Sequence, residues 1–259
     1  MVTIKNKTAL AKMREAGRLL ALVMYAITPA VREGVSTAAL DALIEAEMRL
    51  RGLTPSCKGF KGYRHASCIS VNDIVVHGVP SATVVLKAGD CVTVDIVGSS
   101  QGYHADMART FIVPGDNAPA PEIVRLIEVA EQSLEKALEV ARPGIRLGVV
   151  SRAIQQVVEA AGFGVIRDFV GHGIGKQMHE DPQVPNFDTG DEGPLLRPGM
   201  TLAIEPMITV GSPEVVILSD RWSVQTRDRS WAAHVENTIA ITEDGVEVLT
   251  RLPENLSNN

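Results

Sequence analysis

The 259-residue chain reads as an α+β protein in which one unit is used twice, with halves at about 9–115 and 121–250 related by a pseudo-two-fold axis. Three features lead to this reading. The sequence repeats itself at a fixed spacing, each copy begins with two helical stretches, and alternating apolar strands carrying acids follow them. Helices are then expected to cover one face of a curved, mainly antiparallel sheet and to leave the other face free for a site. No linker rich in Pro, Gly or Ser parts the halves, so residues 1–259 are expected to form a single domain.

Residues 9–32 place apolar side chains at helical spacing, with Arg14, Glu15 and Arg18 between them. The pure apolar run from Leu19 to Ile27 is far too short to span a bilayer, so an amphipathic helix is expected, with neither signal peptide nor membrane segment. Next, EGVSTAALDALIEAEMRLRG (33–52) matches PGIRLGVVSRAIQQVVEAAG (143–162) at a constant offset of 110, pairing Gly34 with Gly144, Leu40 with Val150, Ile44 with Ile154 and Gly52 with Gly162. Each copy is a helix ended by glycine, and the second also follows a helical pattern, residues 121–141. The same offset lays LKAGDCVTVDI (86–96) over LRPGMTLAIEP (196–206), so Asp95 falls on Glu205 at the end of a strand. HADMARTFIV (104–113) then parallels HVENTIAIT (234–242) at an offset of 130, aligning His104 with His234 and Asp106 with Glu236. The larger offset means about twenty extra residues in the second half, around 211–231, where Gly, Pro and Asp suit an inserted hairpin or loop.

A hairpin centred on Ser100 and Gln101 sets Asp95 opposite Asp106 on one face. Two bare carboxylates about 5 Å apart repel by roughly 3 kcal/mol at an effective dielectric near 20, and two more from the other half add to this. A whole domain is only about 5–15 kcal/mol stable. Compensation can come from Arg109, Arg197 or Lys87 as ion pairs, from a shared proton, or from one or two divalent cations. The composition of the cluster, carboxylates with an imidazole, favours the cations.

The imidazoles come from VGHGIGKQMHEDPQVP (170–185). Glycines around His172 are expected to let the backbone come close to a ligand, while Pro182 and Pro185 stiffen the segment after His179. One of the two histidines is expected to complete a metal set and the other to face substrate. His77 in VHGVP echoes His179 in MHEDP as an H-x-x-P element, and His104 and His234 precede Asp106 and Glu236 by two residues as potential outer partners of the carboxylates.

Composition narrows the function further. A formal charge of -6 without a basic run removes the electrostatic footprint of nucleic-acid or anionic-membrane binding. Three cysteines, Cys57, Cys68 and Cys91, are an odd number in a chain able to build a core, which points to free thiols in a reducing, cytoplasmic setting and excludes a four-cysteine zinc site.

Taken together, VNDIVVHGVP, VTVDIV with YHADMARTF, GHGIG with MHEDPQVPNF, LAIEPM and AAHVENT resemble the type I methionine aminopeptidases of the pita-bread (creatinase/aminopeptidase) fold group, in order and spacing from about residue 3 to 250. The resemblance implies two divalent cations per chain (Co, Fe(II), Mn or Zn) held by Asp95, Asp106, His172, Glu205 and Glu236, with Asp106 and Glu236 bridging. It implies that His77 and His179 contact substrate and stabilise the tetrahedral intermediate, that Glu205 assists as general base, and that a metal-bridging hydroxide attacks the peptide carbonyl. It also implies a methionine pocket lined by Cys57, Phe60, Tyr63, Cys68, Met178 and Trp222, polarizable groups suited to a thioether. The expected substrates are nascent polypeptides with a small second residue, met near the ribosome by a monomeric enzyme of protein maturation. The chain departs from the family pattern at Lys61, Arg64, His234 and Asn237, where histidine, proline, glutamine and histidine are usual; none of these departures removes one of the five implied ligands. A proline-specific aminopeptidase or prolidase of the same fold group is the alternative enzyme, and a metal-free binding protein the alternative class.

Overall fold

The computed structural model describes residues 2–116 and 119–251; the expected domain span of 1–259 also takes in residues outside these. In the first half, α1 (Lys7–Ile27) and α2 (Thr37–Leu50) precede β1 (Thr54–Pro55), β2 (Ser67–Val71), β3 (Ile74–Val76), β4 (Cys91–Ser100) and β5 (Tyr103–Ile112). In the second, α3 (Pro121–Val140) and α4 (Leu147–Ala160) lead into β6 (Gly164–Val165), β7 (Gly171–Gly173), β8 (Glu180–Val184), β9 (Thr201–Ile204) and β10 (Met207–Thr209). There follow β11 (Val215–Ile217), β12 (Val224–Thr226), β13 (Ala232–His234), β14 (Glu236–Ile241) and β15 (Val246–Val248). Among the described residues, no helix is long and apolar enough to cross a membrane.

Local chemistry sets the helix boundaries. Asn6 caps α1 by accepting the N–H of Ala9 at 2.9 Å, and Ser36 caps α2 by accepting that of Ala39 at 3.2 Å. Pro121 opens α3, where a missing N–H costs no hydrogen bond. Gly52 and Gly162 follow α2 and α4 at φ +76° and +88°, a conformation that needs a residue without Cβ.

The main sheet has nine strands in the order β1-β4-β5-β14-β9-β7-β8, with β2 also on β4 and β15 on β14, and its pairs are antiparallel. The halves meet where β5 pairs with β14, Ala108 opposite Glu236. Each half has its own apolar core between helices and sheet: Leu20, Ile44 and Val94 in the first, Leu126, Ile154 and Leu202 in the second, all fully buried. Burying such a side chain stabilises by about 1.5–3 kcal/mol. The opposite face of the sheet carries the acids.

The duplication is written in matching hydrogen bonds. Gly34 donates to the Leu86 carbonyl at 2.9 Å and Gly144 to that of Leu196 at 3.0 Å; Leu86 donates to Val35 at 2.9 Å and Leu196 to Ile145 at 2.8 Å. These pairs keep the 110-residue offset. The expected offset of 130 for the later strands is corrected to 128. The Thr110 hydroxyl donates to the His234 carbonyl at 2.7 Å, and the Thr238 hydroxyl to that of Asp106 at 2.8 Å. Asp106 therefore occupies the place that His234, not Glu236, holds in the other half.

The β4–β5 register differs from expectation in the same way. The turn residues are Gln101 and Gly102, both at positive φ, +51° and +76°, as a type I′ turn requires. Asp95 pairs with Ala108 and Val97 with Asp106, so the two aspartates are diagonal neighbours on one face instead of directly opposed. In the second half, the pairs Asn237–Ile204 and His234–Met207 bracket Glu236 opposite Glu205, where the direct opposition does occur. A slip of two residues leaves strand alternation unchanged, which is why the polar pattern cannot detect it.

The extra segment is a hairpin: β11 pairs with β12, and β12 lies against β3, Val224 opposite Val76. It thus touches the strand that leads into His77.

Candidate functional site

Four carboxylates from both halves converge on the sheet face away from the helices. Asp95 projects from β4, Asp106 from β5 and Glu236 from the start of β14, while Glu205 follows β9 immediately before Pro206. Asp106 and Glu236 are 4% and 2% exposed. The Asp106 side chain lies within hydrogen-bonding reach of both Asp95 and Glu236. The Asp106 backbone is pinned by Thr238, and Asn186 donates to the Glu205 carbonyl at 3.0 Å.

The ladder is irregular next to His172: His172 pairs with Gln183 but Gly173 with Glu180, so β8 bulges by two residues, Asp181 and Pro182, opposite the histidine. Bulges of this kind re-aim a side chain. Its Nε2 stands 3.7 Å from Asp106 Oδ2 and 3.6 Å from Glu205 Oε1, and Nδ1 is 2.9 Å from the Gly173 carbonyl. The flanking glycines are required by strand packing. A Cβ on Gly171 would lie 2.4 Å from the Ala203 carbonyl oxygen, and one on Gly173 2.1 Å from that of Asp181.

His77 and His179 enter from opposite sides. His77, held at φ +57°, lies edge-on to Phe169 at 5.5 Å, and His179 lies 5.4 Å from Phe60 and 4.4 Å from the His172 ring. His234 lies beside Glu205 and Glu236, as its position before the acid suggests. His104 does not join the carboxylates: its Nδ1 is 3.1 Å from the Gly175 carbonyl, on the loop beyond His172.

Burial raises every carboxyl of the cluster, Asp95 to about 7 and Asp106, Glu205 and Glu236 well above their usual range, with repulsion among the acids adding to the last three. The same burial lowers His77 and His172 to about 4 and His234 to about 3, so these rings are neutral and offer lone pairs. None of the three cations considered as ion-pair partners bonds a carboxylate of the cluster, although the Arg109 charge is felt by Glu236. Arg109 donates to the carbonyls of Ala108 and Glu236 and to Asn237 Oδ1, while Lys87 and Arg197 are exposed. Among the described residues, no lysine or arginine makes a salt bridge with these four acids.

Asp95 Oδ1, Asp106 Oδ1 and Glu236 Oε1 are buried with no hydrogen-bond partner. Asp106, His172 and Glu236 offer donor atoms all within 4.8 Å of one another. Oxygen-rich donors with a neutral imidazole, lacking any compensating cation of the chain itself, fit divalent metal ions.

The cluster forms the floor of a cavity of about 1130 Å³, and every residue singled out from the sequence as ligand, catalytic group or pocket lining faces it. Cys57, Tyr63, Cys68, Val97 and Met178 form one apolar wall, completed by Phe60, Val79 and Trp222. Trp222 arrives on the inserted hairpin and meets Tyr63 edge-on at 4.9 Å. The Cys57 thiol, hydrogen-bonded to Cys68 and buried, is pushed well above its usual range and stays protonated.

Sequence reasoning missed several contributors. Val97 and Phe169 line the cavity; Phe169, an aromatic three residues before His172, was a readable signal. Asp41, an acid on the apolar face of α2, accepts the backbone N–H groups of Ala66 and Ser67 at 3.0 and 2.9 Å and ties the pocket loop to the helix. Lys5 and Glu180, paired at 2.7 Å, fasten the N-terminal segment over the loop bearing His179.

Residues 11–243 match the model of metallopeptidase family M24. Methionine aminopeptidase 1 of Bacillus subtilis is 45% identical over 252 residues, 97% of this chain and 100% of that protein. The crystal structure of a methionine aminopeptidase from Thermotoga maritima superposes with a TM-score of 0.94 at 43% identity, covering 97% of this chain and 100% of that one. A prolidase from Pyrococcus horikoshii shares the fold at a TM-score of 0.78 and 24% identity, and 65% of its chain is covered.

Proposed function

The chain belongs to metallopeptidase family M24, and from that footing we propose how its own residues carry out the metal-dependent removal of an N-terminal methionine from peptides. The observation that carries the proposal is the convergence of Asp95, Asp106, His172, Glu205 and Glu236, from both halves, beneath a pocket walled by two thiols, a thioether and aromatic rings.

In this reading those five residues would hold two divalent cations, with Asp106 and Glu236 as the shared ligands; Co, Fe(II), Mn and Zn would suit the donor set. The chemistry such ions supply is polarisation of the peptide carbonyl and a water acidic enough to ionise near neutral pH. Glu205 accepts the proton of the attacking water at a carboxylate oxygen. His77 and His179 are neutral, and each donates an N–H toward the substrate, one from either side, where charge builds on the carbonyl oxygen and the amide. The methionine side chain lies among Cys57, Phe60, Tyr63, Cys68, Met178 and Trp222, excluding water from the reacting bond.

We extend the reading to its setting. The chain works as one monomeric catalytic domain on nascent polypeptides whose second residue is small, near the ribosome in the cytoplasm. The continuous sheet spanning both halves supports the single domain, and the free thiols of Cys57, Cys68 and Cys91 fit a reducing compartment. The test is a peptide panel with protein loaded with Co, Mn or Fe(II). Met-Ala-Ser is expected to be cleaved and Met-Lys-Ser nearly spared. Cleavage of Xaa-Pro peptides in place of Met-Ala-Ser would overturn the proposal in favour of a prolidase-like activity.

A further inference from the structure

We propose that His234 is a further nitrogen ligand of the metal centre, which is then held between two imidazoles, His172 and His234. The inference rests on the metal reading of the carboxylate cluster and adds a donor to it.

The backbone aims His234 at the centre. It ends β13, opposite Met207, and its N–H and carbonyl are both fixed by the Thr110 hydroxyl, at 3.1 and 2.7 Å. The matching exchange on the other side of the seam fixes Asp106 to Thr238, so His234 holds in the second half the place that Asp106 holds in the first. Its side chain is therefore directed at the same point by the same scaffold.

The ring is 1% exposed, and neither Nδ1 nor Nε2 has a hydrogen-bond partner. Buried imidazoles are normally paired, so a ring with both nitrogens unpaired is a lone pair awaiting an acceptor. Its Nε2 lies 3.8 Å from Glu205 Oε2 and 3.9 Å from Glu236 Oε2. These distances are too long for hydrogen bonds, which run to about 3.2 Å. Two donors bound to one ion at about 2.0–2.2 Å, with angles between tetrahedral and trigonal, stand roughly 3.4–3.8 Å apart. His172 straddles Asp106 and Glu205 at 3.7 and 3.6 Å, so the two imidazoles stand toward their carboxylates in nearly the same way. A second nitrogen adds no charge but shifts the site toward Zn, Co and Fe(II) and away from Mg and Mn, which favour oxygen.

Full-length protein loaded with Co(II) tests this directly, because each coordinated histidine gives a hyperfine-shifted, solvent-exchangeable imidazole N–H signal in the proton NMR spectrum. Two such signals are expected, one lost in His172→Gln and the other in His234→Gln. In His234→Gln, Zn affinity measured against a competing chelator is expected to fall at least tenfold, and Mn affinity much less. The wild-type spectrum decides the matter without any variant having to fold: one signal with cobalt bound overturns the inference and leaves the metal centre standing. A His234→Gln protein retaining both signals overturns it as well, since a ring acting only through the Glu205 carboxylate would lower affinity without contributing a signal. Protein that binds no cobalt at all overturns the metal reading and this inference with it.

Discussion

Without divalent ions the stability of this protein is expected to fall as pH rises above about 7.5. In the metal-free folded state burial makes Asp95, Asp106, Glu205 and Glu236 hold their protons to higher pH than they do in the unfolded chain, Asp95 to about 7 and the others shifted in the same direction. In the unfolded chain they ionise near 4. The folded state therefore binds more protons across that interval, and each extra proton costs about 1.4 kcal/mol of stability per pH unit gained. His77, His172 and His234 act with the opposite sign, since their folded values lie at about 4, 4 and 3. Their contribution is still half present at about pH 6.5, where the unfolded imidazoles are half protonated, and is gone by about 7.5. Above about pH 7.5 the carboxyls act alone. One retained proton lowers the melting temperature by roughly 3–6 °C per pH unit, at about 2–4 °C per kcal/mol for a chain of this size. The assay is thermal unfolding in chelator at about pH 7.5, 8.0 and 8.5, repeated with saturating Mn or Co. The metal-loaded protein should show a flat or rising trend, because deprotonated ligands bind more tightly. A chelated protein whose melting temperature holds steady or climbs over this range would refute the electrostatic reasoning.

Asp106→Asn and Glu236→Gln are each expected to lower turnover at least a thousandfold while the circular dichroism spectrum is kept, and wild-type turnover in either would contradict the proposed ligand roles. Gly173→Ala forces a methyl to within 2.1 Å of the Asp181 carbonyl oxygen, so β7 and β8 must part; a loss of about 1–3 kcal/mol in denaturant unfolding, with lower activity from a displaced His172, is expected. Trp222→Ala removes the lid of the apolar wall and should raise KM for methionyl peptides about tenfold with a smaller change in kcat. Asp41→Ala strands the N–H groups of Ala66 and Ser67 and should cost about 1–3 kcal/mol, read from urea midpoints.

Ligand identity was legible because acids on apolar strands and histidines between glycines contradict their surroundings. Asp95 and Glu205 could be aligned because a helix and a strand of constant length separate them from Gly34 and Gly144. Asp106 and Glu236 were found as residues but misaligned as equivalents, since a two-residue slip keeps every side chain on its face. The turn that fixes the true register depends on Gly102, and in the sequence that residue competes with Ser99, Ser100 and Gln101 as a turn former. The bulge in β8 opposite His172 was not legible, because it arises from how β8 lies against β7 and not from any local pattern. The packing need for Gly171 and Gly173 was not legible for the same cause: the crowding comes from neighbouring strands.

The hairpin of β11 and β12 belongs to only one of the two copies. A cradle made by doubling a single unit has two equivalent mouths, and a peptide chain, which has a head and a tail, would find both open. Here strands lie along β3 and an indole rests on Tyr63, and among the described residues β4 and β5 have no matching addition. Polarity thus enters an otherwise even-handed frame through about twenty residues.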